Sequence, residues 1–129
     1  MPTPTIAALA TAAGPAGVAV IRISGPEAFA VADRVARCAG PPPSQRPAGT
    51  FFHATFSDGA AGAVLDDGIV LIFRAPRSYT GEDTVELQGH GGAVVARQVL
   101  QAVFHAGAAP AGPGAVYSPL ASISALAAA

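Results

Sequence analysis

Lysine and tryptophan are absent from this sequence of 129 residues, and Cys38 is its single cysteine. Seven arginines are balanced by eight acidic residues, which gives a net charge of −1. One cysteine cannot form an internal disulfide, and together with three histidines it makes no zinc-binding pattern. The charge balance also provides no basic surface for nucleic acid. These absences argue against a disulfide-stabilised protein, a zinc protein and a stand-alone nucleic-acid-binding protein.

Long apolar runs are missing as well. No stretch of about 18 apolar residues is free of charge, proline and glycine, so no membrane span and no membrane partner are predicted. The N-terminal M-P-T-P-T has no positive charge and no apolar core, unlike a secretion signal. Without lysine there can be no G-x-x-x-x-G-K-[ST] phosphate loop. We therefore expect a cytoplasmic chain that does not hydrolyse nucleotides by itself.

The hydrophobic pattern predicts an α+β domain with the element order ββαβββα. Strands joined by short turns indicate an antiparallel sheet of five strands, with both helices packed on one face. Part of such a sheet needs a partner surface, which favours a homodimer. The predicted strands cover residues 5–10, 18–23, 50–57, 64–74 and 83–88, and the predicted helices cover residues 28–38 and 93–105.

Several short signals predict where these elements begin and end. The sequence S-G-P-E at residues 24–27 matches a capping box for the first helix. Asp66, Asp67 and Gly68 predict a bulge or kink in the fourth strand. The glycines at positions 89–92 predict the turn after the fifth strand, and Gly107 is the expected end of the second helix.

Two charged side chains on apolar strands are the strongest candidates for a binding site. Alternation along a strand places Arg22 on the same side as Val18 and Val20, and Glu86 on the same side as Gln88. A carboxylate in this position can accept two parallel N–H bonds from a flat amidine-like edge, such as that of guanine or a pterin. The alternative is a structural ion pair between Arg22 and Glu86, and the residue pattern by itself favours that alternative.

The neighbouring loop and turn contain further candidates for pocket lining. Tyr79 and Thr80 lie in a polar loop that we expect at the same end of the sheet as the glycine turn, although Gly81 could simply make a tight turn. His90 stands between glycines and could contact a ligand or cap the following helix. The other two histidines, at positions 53 and 105, are isolated in the sequence, and we expect them at the surface or the edge of the core.

Four stretches of the chain resemble one known family. They read T-I-A-A-L-A-T at residues 5–11, G-V-A-V-I-R-I-S-G at 17–25, S-Y-T-G-E-D-T-V-E-L-Q-G-H-G-G at 78–92 and A-G-P-G at 111–114. The third stretch is long and specific. Together the four resemble the N-terminal domain of the MnmE family of tRNA-modification GTPases, also called TrmE, over residues 5–114.

The resemblance implies a fold, a ligand and partners. The family domain is similar to the tetrahydrofolate-binding T protein of glycine cleavage, and its homodimer mimics the two halves of that protein. It binds 5-formyltetrahydrofolate, and Arg22 and Glu86 match the family's folate-contacting arginine and glutamate. The whole family protein modifies the wobble uridine U34 of tRNA together with the FAD enzyme MnmG. It uses GTP, potassium and magnesium in a GTPase domain that is inserted in a helical domain, and both domains are missing from this sequence.

Residues 115–129 depart from the family pattern. They begin A-V-Y-S-P where the family reads E-F-T-x-R, and one base inserted into the glutamate codon would produce that change. We therefore hypothesise a frameshift, which does not account for residues 120–129. The family's folate-contacting lysine would align near Ala125, and the chain has no lysine. The alternative function is accordingly a structural dimerisation remnant that has lost folate binding.

Overall fold

The computed structural model describes residues 3–11, 17–59 and 61–111. Within these ranges the protein has seven strands, two α-helices and one short 3₁₀ helix. The tail at residues 115–129, with Ala125, lies outside the described residues. The elements are β1 Ile6–Leu9, β2 Val18–Ser24, α1 Ala28–Val35, β3 Ala36–Arg37, the 3₁₀ helix Pro43–Gln45, β4 Phe51–Ser57, β5 Val64–Phe73, β6 Thr84–His90, α2 Ala93–His105 and β7 Ala109–Pro110.

The strands form one mixed sheet in the order β3-β4-β5-β6-β2-β1-β7. The prediction of an α+β fold with two helices is confirmed, but the antiparallel sheet of five strands differs in detail from the observed mixed sheet of seven. The five predicted strands are all present, and they pair antiparallel with one another. The two missed strands have only two residues each, too few to show a period, and β7 pairs parallel with β1. These short strands form the two edges of the sheet.

The hydrophobic core lies between the helices and one face of the sheet. Alternation places Ile21 and Ile23 of β2 on this face, beside Val85 and Leu87 of β6, and all four side chains are at most 3% exposed. The same core includes α1 through Val31, Ala32 and Val35, and α2 through Val99, Ala102 and Val103. The opposite face carries Arg22 and Glu86 and is called the open face below.

The first helix starts in a different way from the predicted capping box. Glu27 is the N-cap residue and makes no hydrogen bond with its side chain. The Glu27 N–H instead donates to Oγ1 of Thr5, at 2.8 Å, and the Ser24 hydroxyl bonds to Thr80. The helix also ends at Val35 rather than Cys38, because the chain turns extended at Ala36 and pairs with β4. A distant side chain therefore replaces the local cap.

The predicted irregularity in β5 is present one residue earlier than expected. Phe56 pairs with Asp66, whereas Ser57 pairs with Val64, so Leu65 is the extra residue of a bulge. Gly68 is required for a separate reason, because a Cβ there would lie 1.9 Å from the carbonyl oxygen of Gln88 on β6.

The second helix agrees with its predicted bounds of residues 93–105, and Gly107 follows it with a φ of 126°. Strand β6 continues through Gly89 to His90, beyond the predicted end at Gln88, because its last residues still pair with β2. Within the described ranges, neither helix has the length and apolar character needed to span a bilayer.

Candidate functional site

Arg22 and Glu86 meet in the middle of the open face. They are directly opposite each other in the β2–β6 ladder, and Nε of Arg22 donates to Oε2 of Glu86 at 2.6 Å. The two side chains are 18% and 10% exposed. The geometry is that of the ion pair which the residue pattern favoured, and it also brings the two predicted ligand-binding residues together.

The guanidinium of Arg22 also faces an aromatic ring. Its central carbon lies 4.8 Å from the ring centroid of Tyr79, a cation–π distance, and Tyr79 itself is 69% exposed. Among the described residues, no hydrogen bond from the two terminal nitrogens of Arg22 is found. The charged side of the pair is therefore covered by an exposed aromatic ring rather than by the core.

Thr80 belongs to a small group of hydroxyls with Ser24 and Thr84, which lie two positions along their strands from Arg22 and Glu86. Its Oγ1 lies 2.8 Å from Oγ of Ser24 and 3.2 Å from Oγ1 of Thr84. Gly81, with a φ of 79°, completes a tight turn in which its N–H donates to the carbonyl of Ser78. Thr80 thus fixes the loop on the sheet, and Gly81 makes the tight turn that was the alternative to pocket lining.

The loop and the glycine turn lie at opposite ends of β6, which corrects the expectation that they share one end. The loop precedes Thr84, and the turn follows His90. A strand of seven residues separates the two by about 20 Å. Tyr79 and Thr80 are therefore near Arg22 and Glu86, whereas His90 is not. Gln88 lies between them on the open face and is half-buried.

His90 forms a second polar cluster with two aspartates of β5. Its Nδ1 donates to Oδ1 of Asp66 at 2.7 Å, and its backbone N–H donates to Oδ2 of the same carboxylate at 2.9 Å. Nδ1 is also 3.8 Å from Oδ1 of Asp67. The hydrogen bond with Asp66, followed by the attraction of both carboxylates, raises the pKa of His90 above its ordinary value. His90 neither caps α2, whose N-cap is Gly92, nor borders the Arg22 pair.

His53 extends this cluster across the sheet. Its Nε2 lies 3.0 Å from Oδ2 of Asp67, and this hydrogen bond is the main cause that lowers the pKa of Asp67. The sequence pattern predicts only a bulge or kink at Asp66 and Asp67, and their contacts with the two histidines were not predicted. Their position follows from the observed strand register, because Ile69 opposite Gln88 brings position 67 to His90.

A cleft of about 600 Å³ on the helical side is a less suitable ligand site. It lies between the ends of α1 and α2 and the β4–β5 turn. Arg34 donates there to the carbonyl of Ala106 at 2.6 Å, and His105 pairs with Asp58 at 2.9 Å. Arg34 and His105 thus bond to protein groups, whereas the terminal nitrogens of Arg22 make no hydrogen bond among the described residues, so the open face offers more to a charged ligand.

The groups on the open face can bind a flat, charged ligand. An ionised carboxylate has about four acceptor positions, so Glu86 can keep its bond from Arg22 and still accept from a ligand. The terminal nitrogens of Arg22 can donate to an oxygen or a carboxylate of the same ligand. The exposed ring of Tyr79 can stack on a flat heterocycle.

Comparison with known proteins places the chain in a family. The family model described as "GTP-binding protein TrmE N-terminus" matches residues 5–117. The tRNA modification GTPase MnmE of Halorhodospira halophila is 54% identical over 110 residues, which are 85% of this chain and 22% of that protein. The MnmE of Alkalilimnicola ehrlichii is 52% identical, with 85% and 23% covered, and that of Chlamydia felis is 46% identical, with 85% and 24% covered.

The matched region thus covers most of this chain and less than a quarter of each of these relatives. The match begins at Thr5, immediately before β1, and includes all the elements that form the open face. The chain belongs to the TrmE N-terminus family and corresponds to the N-terminal domain of MnmE.

Proposed function

We propose that this chain binds 5-formyltetrahydrofolate on its open face and forms a homodimer, as the N-terminal domain of a tRNA-modification GTPase. The observation that carries the proposal is the pair of Arg22 and Glu86 beneath the exposed ring of Tyr79, in a chain of this family. One small area of the sheet thus combines a carboxylate, a guanidinium and an aromatic surface.

Each group matches one part of the ligand. The pterin ring presents an amidine-like edge of N–H donors, and the carboxylate of Glu86 can accept hydrogen bonds from that edge. The terminal nitrogens of Arg22 can donate to a folate oxygen or carboxylate, while Tyr79 stacks on the flat ring. Gln88, two residues along β6 from Glu86, can add one amide contact.

Isothermal titration calorimetry with 5-formyltetrahydrofolate tests this role of Glu86. Glu86→Gln keeps the size of the side chain and removes its charge. A hydrogen bond to a charged group contributes about 1.5–3 kcal/mol, so we expect the affinity to fall roughly 10- to 150-fold. Glu82→Gln is the matched control, since it removes one carboxylate from the neighbouring loop and should bind like the wild type.

Two results would contradict the folate proposal. One is a folded wild-type protein that binds no 5-formyltetrahydrofolate, and the other is equal affinity of Glu86→Gln and wild type. Far-UV circular dichroism of each variant separates lost binding from lost folding.

Dimerisation is proposed from the apolar side chains of the open face. Val18, Phe51 and Ile69 share this face, on three different strands, and are 50%, 72% and 39% exposed. Large apolar side chains exposed on one face are typical of a protein–protein interface. A second copy of the chain would cover it.

Analytical ultracentrifugation tests the dimer. Phe51→Glu places a charge on the open face and should shift the protein from dimer to monomer. Val94→Glu is the matched control, because Val94 is 68% exposed but lies on α2. A wild-type protein that stays monomeric as its concentration rises would refute the dimer.

A second candidate is a structural dimerisation remnant without folate binding. It is favoured by the ion pair itself, because Arg22 and Glu86 already satisfy part of each other's charge. It is also favoured by the absence of lysine, since the family resemblance implies a folate-contacting lysine. A stable dimer that gives no heat with the ligand would identify this alternative.

In the complete protein, we propose that this domain serves modification of the wobble uridine U34, with MnmG and tRNA as partners, in the cytoplasm. GTP hydrolysis, with its potassium and magnesium, is assigned to segments outside the roughly 110 matched residues, because this chain has no lysine for a phosphate loop.

A further inference from the structure

The cluster of His90, Asp66, Asp67 and His53 is not used by the proposed folate site. His90 is four residues along β6 from Glu86, about 13 Å away. The two carboxylates and the His90 imidazole each offer one metal-ligating atom, and these three atoms all lie within 4.8 Å of one another. The imidazole of His90 is 70% exposed, so an ion can reach Nδ1 from solvent.

Both carboxylates are oriented by hydrogen bonds, and each has its Oδ1 within 4 Å of Nδ1 of His90. Oδ2 of Asp66 accepts the backbone N–H of His90 at 2.9 Å, while its Oδ1 lies 2.7 Å from Nδ1. Oδ2 of Asp67 bonds to Nε2 of His53 at 3.0 Å, while its Oδ1 lies 3.8 Å from Nδ1. Such supporting hydrogen bonds orient the ligands of metal sites in proteins.

The backbone also keeps space for this arrangement. A Cβ at Gly89 would lie 2.4 Å from Oδ2 of Asp66, so only glycine lets that carboxylate pass to His90. The side chain of Asp66 is 9% exposed, and its Oδ1 additionally accepts the N–H of Asp67 at 2.8 Å. One ligand is thus fixed by burial and hydrogen bonds before any ion arrives.

We propose that Asp66, Asp67 and His90 bind one divalent transition-metal ion of the zinc class, with His53 as a positioning residue. Ligand atoms around a tetrahedral zinc ion are about 3.3 Å apart, given bonds of about 2.0–2.2 Å. The two carboxylate atoms lie 2.7 and 3.8 Å from Nδ1, on either side of that value, and all three atoms lie within 4.8 Å of one another, so side-chain adjustments can bring them to one ion. The ion replaces the proton on Nδ1, and water fills the remaining position.

Zinc or cobalt fits this site better than magnesium or calcium. Imidazole is a ligand for zinc, copper, nickel and cobalt, whereas magnesium and calcium prefer six or more oxygen ligands. Here one of the three ligands is a nitrogen, and the part of the chain that the structure describes contributes two carboxylates. The ion would join β5 to β6 and, through His53, to β4.

Two titrations of the tag-free protein test the site. Calorimetry measures the binding of zinc chloride, and visible absorption measures the binding of cobalt chloride. We expect one ion per chain and an increase in the thermal midpoint with zinc. His90→Ala should lower the zinc affinity at least about tenfold and abolish the thermal shift. His53→Ala should lower the zinc affinity about tenfold, the size of effect known for residues that support metal ligands.

His105→Ala is the matched control. His105 is an exposed imidazole that pairs with one aspartate among the described residues, Asp58, at 2.9 Å. It should bind zinc like the wild type. Equal affinity of wild type and His90→Ala, or an equal loss in His105→Ala, would overturn the site. Binding of magnesium with the same dependence on His90 would overturn the assignment to the zinc class. None of these outcomes depends on folate.

Discussion

Removing one partner from the Arg22–Glu86 pair should destabilise the fold by about 3 kcal/mol. Breaking a buried ion pair costs about 3–5 kcal/mol, because the remaining charge stays buried without a partner, whereas an exposed pair contributes only about 0–1 kcal/mol. With 18% and 10% exposure, this pair is close to the buried limit. We therefore expect the lower end of the buried range for Arg22→Met and for Glu86→Leu.

The double variant Arg22→Met/Glu86→Leu should be within about 1 kcal/mol of wild type. Both charges are then gone, and the new apolar side chains pack against the half-buried Val20 and Leu71, which lie on the same face. Replacing both partners of a buried pair by apolar groups is often close to neutral. Two single losses of about 3 kcal/mol and a double-variant loss within about 1 kcal/mol correspond to a coupling energy of about 5 kcal/mol in the mutant cycle.

Urea denaturation followed by far-UV circular dichroism measures these differences. The chain has no tryptophan, so the peptide signal is the suitable probe. If the slope of the unfolding free energy against urea concentration is the same in all variants, the midpoints report stability alone. Single-variant losses under about 1 kcal/mol that simply add in the double variant would refute the reasoning, because the pair would then behave as a solvent-screened surface contact.

Three further changes test other contacts. Gly68→Ala should cost about 3 kcal/mol or more in urea denaturation, because its Cβ would lie 1.9 Å from the carbonyl oxygen of Gln88. Thr5→Val should cost about 1 kcal/mol in the same assay, since the Glu27 N–H at the start of α1 loses its acceptor. Burial, and then the adjacent acid, raises the pKa of Glu82, so folding disfavours its charged form. Glu82→Gln should therefore be more stable than wild type at pH 7, and the difference should vanish as the pH falls below the ordinary range of a glutamate, which urea denaturation at both pH values measures.

Matched variants separate these effects from general damage. At Gly17 a Cβ would meet no described atom within 4 Å, so Gly17→Ala should be nearly neutral; a loss as large as that of Gly68→Ala would contradict the steric explanation. Thr5→Ser keeps the hydroxyl and should retain most of the stability that Thr5→Val loses. A Glu82→Gln protein that is less stable than wild type at pH 7 would show that the carboxylate makes a favourable contact.

The long elements could be predicted because their side chains repeat with the period of a strand or a helix. Val18–Ser24 and Ala93–His105 are examples, and the predicted bounds differ from the observed ones by at most one residue. Ala36–Arg37 and Ala109–Pro110 could not be found, because two residues carry no period. Their strand conformation comes from a neighbouring strand rather than from their own sequence.

The central pair could also be predicted, since alternation along β2 and β6 is enough to place Arg22 and Glu86 on polar positions. The distances between the two side chains could not be predicted, because β2 pairs with β6, the fourth strand after it in the chain. The partner of His90 depends in the same way on the register of β5 against β6. The capping box failed because Thr5, which is 22 positions away from Glu27, supplies a better-placed oxygen.

The parallel strand β7 has a consequence for how the chain folds during synthesis. Ile6 pairs with Ala109, and Ser24 pairs with Thr84, so the centre and one edge of the sheet join residues that leave the ribosome far apart in time. The β4–β5 hairpin can form early, because its partners are close in the chain. The strand β1 must remain unpaired on one side until residue 109 has emerged. Contacts of such long sequence separation slow folding, so we expect the domain to complete its sheet only after nearly the whole matched region has been translated.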